Sequence, residues 1–252
     1  MKRDNTMTRR FLVDAGIATG MHVLEIGCGT GEVTQELAEL VGPSGSVVAL
    51  DRNEGGLAMA RERMQEQGIA HVNFAAADVT GDLAALEALQ GKPFDAVAGR
   101  RVLMYLPDPA TVLNRLSERL HSGGLVVFEE TDSTMVPARI APLAAHDQVT
   151  AWLRSMLIAE NANPAMGFAL PATLVQAGLR FARIRAEAVI LGQGTQYPLS
   201  VLLKMMQPRL IASGIATQAA VDALMDQLEA EALDPTNVYI GAMSFCAWAY
   251  KP

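Results

Sequence analysis

The feature that most constrains this chain is a glycine-rich turn between an apolar strand and an amphipathic helix. The stretch VLEIGCGTGEVTQELAELVG covers residues 23–42 and places glycine at positions 27, 29 and 31. Apolar residues follow the turn at helical spacing, at Val33, Leu37, Leu40 and Val41. Glycines between a strand and a helix let a ligand approach the backbone where side chains would collide. The pattern therefore predicts a ligand-binding turn at the edge of a sheet.

The same alternation of strand and helix continues through the first half of the chain. Short apolar runs predict five strands, at His22–Ile26, Ser46–Leu50, Val72–Ala76, Phe94–Gly99 and Leu125–Glu129. Segments with helical periodicity separate the first strands. This order is typical of an α/β fold, in which helices cover both faces of a mostly parallel sheet.

After residue 132 the pattern becomes mostly helical. We predict helices at Pro142–Ala159 and Pro171–Ala177, a strand at Ala182–Leu191, and a closing strand at Val238–Tyr250. Two further helices lie between these strands, the first beginning at Pro198, which is a favourable first-turn residue.

The chain carries no internal repeat and no linker long enough to mark a second independent domain. We therefore expect one domain over residues 1–252, with helical cap segments at about 133–168 and 193–235.

Composition narrows the class of partner. The chain has 252 residues, half of them apolar, and a formal net charge of −7. It can bury a large core, but its acidic balance argues against nucleic acid, because affinity for phosphates comes from clustered Lys and Arg. No run approaches the length of a transmembrane helix, and the basic N-terminus lacks a signal-peptide core. We expect a soluble cytoplasmic protein that binds a small molecule and no membrane.

The two cysteines do not suggest a site of their own. Cys28 lies in the glycine turn and Cys246 in a predicted buried strand, far apart in the sequence. The spacing indicates neither a disulfide framework nor a zinc site.

Two ligands suit the glycine turn, a dinucleotide and S-adenosylmethionine. The dinucleotide fingerprint places a small residue where this chain has Glu32. An acidic first helical turn is unfavourable beside a diphosphate but harmless beside an ammonium and a sulfonium.

Further acids lie at the ends of successive predicted strands, namely Glu25, Asp51 and Asp78. Acids at strand ends are often only solvated caps. Together, however, these three fall at the edge of a parallel sheet where ligands bind, at positions suited to an amino group, a ribose and an adenine. The order favours S-adenosylmethionine.

Five motifs carry a resemblance to a known family: VLEIGCGTG, VVALD, AAADV, FDAVAGRRVLMYLPDP and LHSGGLVVFEE. In order and spacing they resemble class I S-adenosylmethionine-dependent methyltransferases, particularly small-molecule enzymes similar to those of ubiquinone and menaquinone biosynthesis. The resemblance covers residues 20–130 closely. It implies a Rossmann-like, seven-stranded, mostly parallel sheet with an antiparallel last strand, helical cap insertions, and S-adenosylhomocysteine as the product of the cofactor.

The resemblance also implies roles for individual residues. Glu25 would lie near the methionine amino group, and the backbone of Gly27, Cys28 and Gly29 around the methionyl and ribose portion. Asp51 would bind the ribose and Arg52 would flank the adenine. Asp78 and Val79 would lie at the adenine edge, and Arg100 would contribute backbone at the end of the fourth strand.

The absence of certain motifs limits the class of substrate that we expect. The sequence has no Asp/Asn-Pro-Pro-aromatic run and no Pro-Cys nucleophile, which similar enzymes use on macromolecules. It also lacks an obvious carboxylate triad for a divalent ion, although Glu129, Glu130 and Asp132 are scattered acids in the right region. We expect a small-molecule acceptor and no metal.

Methyl transfer depends chiefly on placing the acceptor in line with the methyl group, so a general base is not obligatory. Candidates near the acceptor are Arg101, Tyr105, Glu130, Asp132 and His146. Tyr105 could equally be a packing residue, and Glu130 a structural acid.

His146 shares one helical face with Val149 and Leu153, so it should point inward. A histidine there can serve as a base near neutral pH. It can also be an ordinary hydrogen-bonded histidine between helices.

The cap segments carry several methionines, at Met156, Met166, Met205, Met206 and Met225. Methionine fills irregular apolar space, which suits a flat, apolar or aromatic acceptor of secondary metabolism, although such residues also build ordinary cores. The site of methylation on oxygen, nitrogen or carbon stays open, and a homodimer is compatible with apolar cap helices. A protein that binds the cofactor but catalyses a cyclisation, and a nicotinamide-dependent oxidoreductase, are the alternatives.

Overall fold

The structure is a computed structural model that describes residues 5–83, 86–135, 139, 141–192 and 199–252. These residues form two compact units. The sheet unit comprises Asn5–Glu130, Met166–Arg185 and Phe245–Pro252, and the helical unit comprises the described parts of Thr131–Ala165 and Ala186–Ser244. The assignment of a single domain with two cap segments stays a prediction.

Seven strands form the main sheet. They are β1 (His22–Ile26), β2 (Ser46–Asp51), β3 (Val72–Ala76), β4 (Phe94–Arg100), β5 (Leu120–Thr131), β6 (Arg180–Glu187) and β9 (Ser244–Tyr250). Their order is β3-β2-β1-β4-β5-β9-β6. The pairs among β1 to β5 are parallel. The order of β1 to β5 changes direction between β1 and β4, which is where ligands bind in open α/β sheets.

The last strand, β9, runs antiparallel to β5. Near the start of β5 the amide of Lys251 donates to the Gly124 carbonyl at 2.9 Å, and beyond its end the amide of Asp132 donates to the Met243 carbonyl at 3.1 Å. The expected fold class, a mostly parallel seven-stranded sheet with an antiparallel last strand, is thereby confirmed.

Five helices belong to the sheet unit: α1 (Thr6–Ala15), α2 (Glu32–Val41), α3 (Glu54–Glu66), α4 (Pro109–Ser117) and α6 (Met166–Gln176). Local sequence explains where two of them begin. The Asn53 side chain accepts a hydrogen bond from the Gly56 amide and caps α3, and the Asp108 side chain caps α4 through the Thr111 amide. Pro109 follows as the first helical residue of α4, where its missing amide costs nothing.

Burial explains why the strands are continuous apolar runs. In β1 the consecutive residues Val23, Leu24, Glu25 and Ile26 are all buried, so both faces of the sheet are covered. Helix α2 supplies part of this cover through Val33, Leu37 and Val41, one apolar stripe at helical spacing.

The helical unit contains α5 (Ala144–Ala159), α7 (Leu199–Ala212) and α8 (Gln218–Leu233). A small antiparallel pair, β7 (Ile190–Leu191) and β8 (Tyr239–Ile240), belongs to the same unit. The three helices share an apolar core built on Val149, Met156, Leu203, Leu210, Val221, Leu224 and Leu228.

The sequence-based strands are confirmed in the first half of the chain and corrected in the second. The first four strands are right to within one residue, while β5 begins five residues before the prediction, at Leu120. The predicted strand Ala182–Leu191 is in fact two strands, β6 and β7, and the predicted closing strand Val238–Tyr250 is β8 and β9. In each case one run of the sequence contributes strands to two different sheets. The hydrophobic pattern of the run does not show where one strand ends and the next begins.

Proline misled the prediction of one helix. We expected a helix to begin at Pro171, but α6 begins at Met166 and carries Pro171 inside it. The burial of Met166, Gly167 and Leu170 favours the earlier start and offsets the interior cost of proline. Helix α7 is observed from Leu199, and the predicted start at Pro198 lies outside the described residues.

Leu37 provides a test of this packing. Its side chain is fully buried in the sheet-unit core, so Leu37→Ala should lower the free energy of unfolding by about 2–5 kcal/mol. Met59→Ala is the matched control, because Met59 is 57% exposed on α3 and its truncation should cost less than about 0.5 kcal/mol. Urea denaturation measures both variants, and equal losses would contradict the assigned core.

Candidate functional site

The glycine turn after β1 adopts a backbone that side chains would not permit. Gly27 and Gly31 have φ angles of +68° and +79°, in the left-handed region that favours glycine. A Cβ atom on Gly27 would lie 2.6 Å from a methyl carbon of Val102, and one on Gly31 would lie 2.9 Å from the Ala60 Cβ. The turn therefore packs tightly against Val102 and Ala60, and the backbone must stay bare at Gly27 and Gly31.

Asp51, at the end of β2, holds this turn in place. Its Oδ2 accepts a hydrogen bond from the Gly29 amide at 2.8 Å, and its Oδ1 accepts one from the Asn53 amide at 2.8 Å. The Cys28 amide also donates to the Leu50 carbonyl. Since each carboxylate oxygen has further acceptor capacity, Asp51 can still accept two hydroxyl groups.

Glu25 is buried beside the turn. It is 1% exposed, and its Oε2 accepts a hydrogen bond from the Thr34 hydroxyl at 2.6 Å. Burial raises the pKa of Glu25 to about 7, against the lowering effects of the Thr34 hydrogen bond and the Arg100 charge. A cation close to Glu25 would favour its ionised form.

The residues expected around adenine lie after β2 and β3. Asp78 is exposed, and its Oδ1 accepts hydrogen bonds from the amide and the hydroxyl of Thr80, which hold the pKa of Asp78 below its usual value. Val79 is buried, and its carbonyl accepts a hydrogen bond from Arg115. Arg52 is exposed.

Arg100 and Glu32 form an ion pair that the sequence did not reveal. The guanidinium of Arg100 lies 2.8 Å from the Glu32 carboxylate and also donates to Asn5 and to the Thr8 hydroxyl. Glu32, in the first turn of α2, is thus paired with Arg100 at the end of β4. The two residues are 68 positions apart, and local spacing carries no signal of their contact.

The turn after β4 brings together three of the predicted acceptor-side residues. Glu130 is fully buried, and its Oε1 accepts hydrogen bonds from the amides of Val102 at 2.9 Å and Leu103 at 2.7 Å. Arg101, directly before, has a φ of +53°, a conformation that non-glycine residues rarely adopt. Tyr105 closes the turn with its side chain 40% exposed.

Burial raises the pKa of Glu130 to about 7, against the lowering effect of the backbone amides and of Arg101. Its second oxygen, Oε2, has no hydrogen-bond partner among the described residues. One oxygen of the carboxyl group therefore fixes the backbone of the turn, and the other oxygen can still accept or donate a hydrogen bond.

His146 and Asp132 belong to the helical unit. His146 is buried, as its helical face predicts, and its ring packs edge-on against Tyr239 with the centroids 4.2 Å apart. Burial and the charge of Arg139 lower the pKa of His146. Asp132 accepts hydrogen bonds from the Thr134 hydroxyl and amide.

Two observations describe what the structure lacks over its described residues. No cluster of three or more His, Cys, Asp or Glu residues is arranged to hold a metal ion. None of the described helices has the length and apolar character needed to cross a bilayer. Cys28 and Cys246 are both buried, unbonded thiols.

Comparison with known proteins identifies the family to which this chain is similar. A family model described as a methyltransferase domain matches residues 17–175. The demethylmenaquinone methyltransferase of Lactococcus lactis subsp. lactis is 37% identical over 122 residues, which are 48% of this chain and 46% of that protein. The aklanonic acid methyltransferase DauC of Streptomyces sp. strain C5 is 32% identical over 122 residues, which are 48% of this chain and 53% of that protein.

The chain thus spans about half the length of the curated relatives it matches. Among solved structures, the 4+2 cyclase SpnF aligns with a TM-score of 0.59 at 16% identity, covering 98% of this chain and 81% of that one. A likeness at that identity concerns the fold alone. The family model, in contrast, covers more than half of this chain and includes β1 to β5 with the glycine turn, so the chain belongs to the class I S-adenosylmethionine-dependent methyltransferases.

Proposed function

We propose that this chain transfers the methyl group of S-adenosylmethionine to a small, apolar or aromatic organic acceptor. The observation that carries the proposal is the Asp51 carboxylate, which joins the glycine turn after β1 to the turn after β2 at the carboxyl edge of the sheet. The two curated relatives are named for demethylmenaquinone and aklanonic acid, which supports a small organic acceptor.

The residues of the turn fit the cofactor in shape and charge. The backbone of Gly27, Cys28 and Gly29, without a side chain at either glycine, would lie against the methionyl and ribose portion, and Asp51 would accept the ribose hydroxyls. The buried Glu25 carboxyl would bind the amino group as an ion, since a neighbouring cation lowers its raised pKa. Bound there, the cofactor supplies an electrophilic methyl group on a sulfonium.

The remaining cofactor residues are assigned on the same basis. Asp78 and Val79 would lie at the adenine edge, Arg52 would flank the ring, and Arg100 would contribute its backbone. The Arg100 side chain has a separate task, because it joins α1 and α2 through Thr8 and Glu32.

On the acceptor side, we assign Arg101 and Tyr105 to orient the acceptor and Glu130 to hold the turn that carries them. The support is the pair of hydrogen bonds from the turn amides to Glu130. In this arrangement catalysis comes mainly from placement, which can supply about 7–11 kcal/mol of the barrier. His146 is the candidate general base, because its lowered pKa leaves a neutral imidazole at pH 7.

Three finer points belong to the same proposal. We place the protein in the cytoplasm and in secondary metabolism. This placement agrees with its net charge of −7 and with the small organic acceptor proposed above. A homodimer is compatible with exposed apolar residues such as Ile158 and Phe168, each 57% exposed.

Incubation with cofactor labelled at the methyl group tests the proposal directly. Label should appear in the product when the chain is supplied with hydroxylated aromatic or quinol acceptors. A product formed without label would favour the alternative, a cofactor-dependent cyclisation, while tight binding of NAD without binding of S-adenosylhomocysteine would overturn the cofactor itself.

Asp51 tests the cofactor site. Asp51→Ala should weaken S-adenosylmethionine binding by about 1.5–3 kcal/mol, because hydrogen bonds to a charged acceptor have that net value. Calorimetry measures the dissociation constant, and Asp226→Ala, at an exposed acid of α8, should leave it unchanged. Equal affinity of the Asp51 variant and the wild type would refute the ribose assignment.

Glu130 predicts a pH-dependent difference in stability. Because burial raises its folded pKa from 4.5 to about 7, the folded protein keeps the proton that the unfolded chain loses. The wild type should therefore lose stability relative to Glu130→Gln as the pH rises from about 4.5 to 7, by about 1.4 kcal/mol per pH unit at most. Urea unfolding of both proteins across this range measures the difference, and parallel curves would show that Glu130 is not buried as described.

The same variant distinguishes positioning from proton transfer. Glutamine keeps a carbonyl oxygen for the amides of Val102 and Leu103, so a positioning role predicts near-normal turnover for Glu130→Gln and a loss for Glu130→Ala. If Glu130 were a general base, turnover would instead fall by about 10²–10⁴-fold in both variants.

His146 gives a separate prediction. If it is the base, His146→Ala should lower turnover by about 10²–10⁴-fold with cofactor affinity unchanged. The wild-type rate should rise with pH below 6.5, where the imidazole loses its proton, and level off above it. A loss of melting temperature without loss of turnover per folded molecule would leave His146 as a core residue.

A further inference from the structure

One face of helix α3 lies against the glycine turn after β1. A Cβ atom on Gly56 would lie 3.1 Å from the Gly29 carbonyl oxygen. A Cβ atom on Gly31 would lie 2.9 Å from the Ala60 Cβ. Positions 56 and 60 share one face of the helix, because residues four apart are neighbours on a helix surface. These close contacts limit how far the turn backbone can move toward α3.

Arg63 lies on the same helix face and makes a hydrogen bond to the turn. Its Nε donates to the Thr30 carbonyl at 2.9 Å. Arg63 is half-buried in the last turn of α3, where a cation is favourable beside the helix C-terminus. Since a charged donor makes a stronger hydrogen bond than a neutral one, Arg63 holds one particular peptide group of the turn.

The glycine turn contains a β-turn over residues 28–31. The amide of its last residue donates to the carbonyl of its first at 2.9 Å. Asp51 accepts a hydrogen bond from the Gly29 amide, and Arg63 donates to the Thr30 carbonyl. Asp51 therefore holds the first of the three peptide groups of the β-turn, and Arg63 holds the third.

We propose that Arg63 is a positioning residue, whose hydrogen bond to the Thr30 carbonyl keeps the glycine turn in the conformation that binds S-adenosylmethionine. Arg63 acts through the backbone of the turn and does not touch the cofactor. A turn that is already fixed pays no ordering cost when the ligand binds, so its release should weaken binding. The inference rests on the proposed placement of the cofactor against this turn.

Two substitutions separate the hydrogen bond from the arginine side chain as a whole. Arg63→Gln places an amide nitrogen at the position of Nε along the side chain, so this variant keeps a donor and loses the charge. Arg63→Met places a methyl group there and keeps no donor. Glutamine and methionine have helix propensities close to that of arginine, so α3 should form in both variants.

Calorimetric titration of the full chain with S-adenosylhomocysteine measures the effect, and the stoichiometry of binding counts the folded molecules. Arg63→Met should raise the dissociation constant by about 2–30-fold, the range for a residue that influences a site without touching the ligand. Arg63→Gln should lie closer to the wild type. A Met variant that binds as tightly as the wild type, or a Gln variant as weak as the Met variant, would overturn the proposal. Arg63→Ala removes the same donor and replaces Arg63→Met if that variant does not fold.

Arg61 provides a matched control on the same helix. Its guanidinium donates to the Phe74 carbonyl of β3 at 3.1 Å, so it makes the same kind of hydrogen bond away from the glycine turn. Arg61→Met should leave the dissociation constant unchanged. A loss equal to that of Arg63→Met would show a general effect of removing an arginine and would refute the role of Arg63.

Asp51→Ala distinguishes failure of this inference from failure of the proposed cofactor site. If Asp51→Ala weakens binding and Arg63→Met does not, only the role of Arg63 is rejected. If both variants bind as tightly as the wild type, the placement of the cofactor against the glycine turn is rejected as well.

Discussion

The hydrogen bonds that Asp51 accepts from Gly29 and Asn53 are the interaction on which the candidate site depends. They fix two turns at neighbouring strand ends, β1 and β2, with a single carboxylate. The left-handed glycines make this possible, because a Cβ atom at Gly27 or Gly31 would collide with Val102 or Ala60. The left-handed turn therefore requires glycine at these positions, and the Asp51 carboxylate holds the turn in that conformation.

Two further carboxyl groups, Glu25 and Glu130, are buried at the same edge of the sheet. Burial raises the pKa of each to about 7, which makes both costly to ionise in the folded protein. Each is held by hydrogen bonds, Glu25 by the Thr34 hydroxyl and Glu130 by the amides of Val102 and Leu103. Buried acids with perturbed pKa values are typical of functional sites, and both lie where the proposed reaction needs charge or fixed backbone.

The ion pair of Arg100 with Glu32 joins three elements of the sheet unit. It connects the end of β4 to the first turn of α2, and the same guanidinium reaches α1 through Asn5 and Thr8. A carboxylate near the N-terminus of a helix is favourable in itself. Here it also gives Arg100 a partner, so that the helix after the glycine turn and the helix at the start of the chain are both anchored to the strand beside the site.

Local sequence determined the first half of this protein almost completely. The strand, glycine turn and helix of residues 22–42, the strands β2 to β4 and the acids at or near the ends of the first three strands are all predicted by periodicity and glycine chemistry, which act within a few residues. Tertiary structure alone decided the rest. Glu130 meets the Val102 amide across 28 positions and Arg100 meets Glu32 across 68. The runs at residues 182–191 and 238–250 each divide between two sheets. Which strands pair depends on contacts between distant parts of the chain, and the spacing of apolar residues within one run does not indicate them.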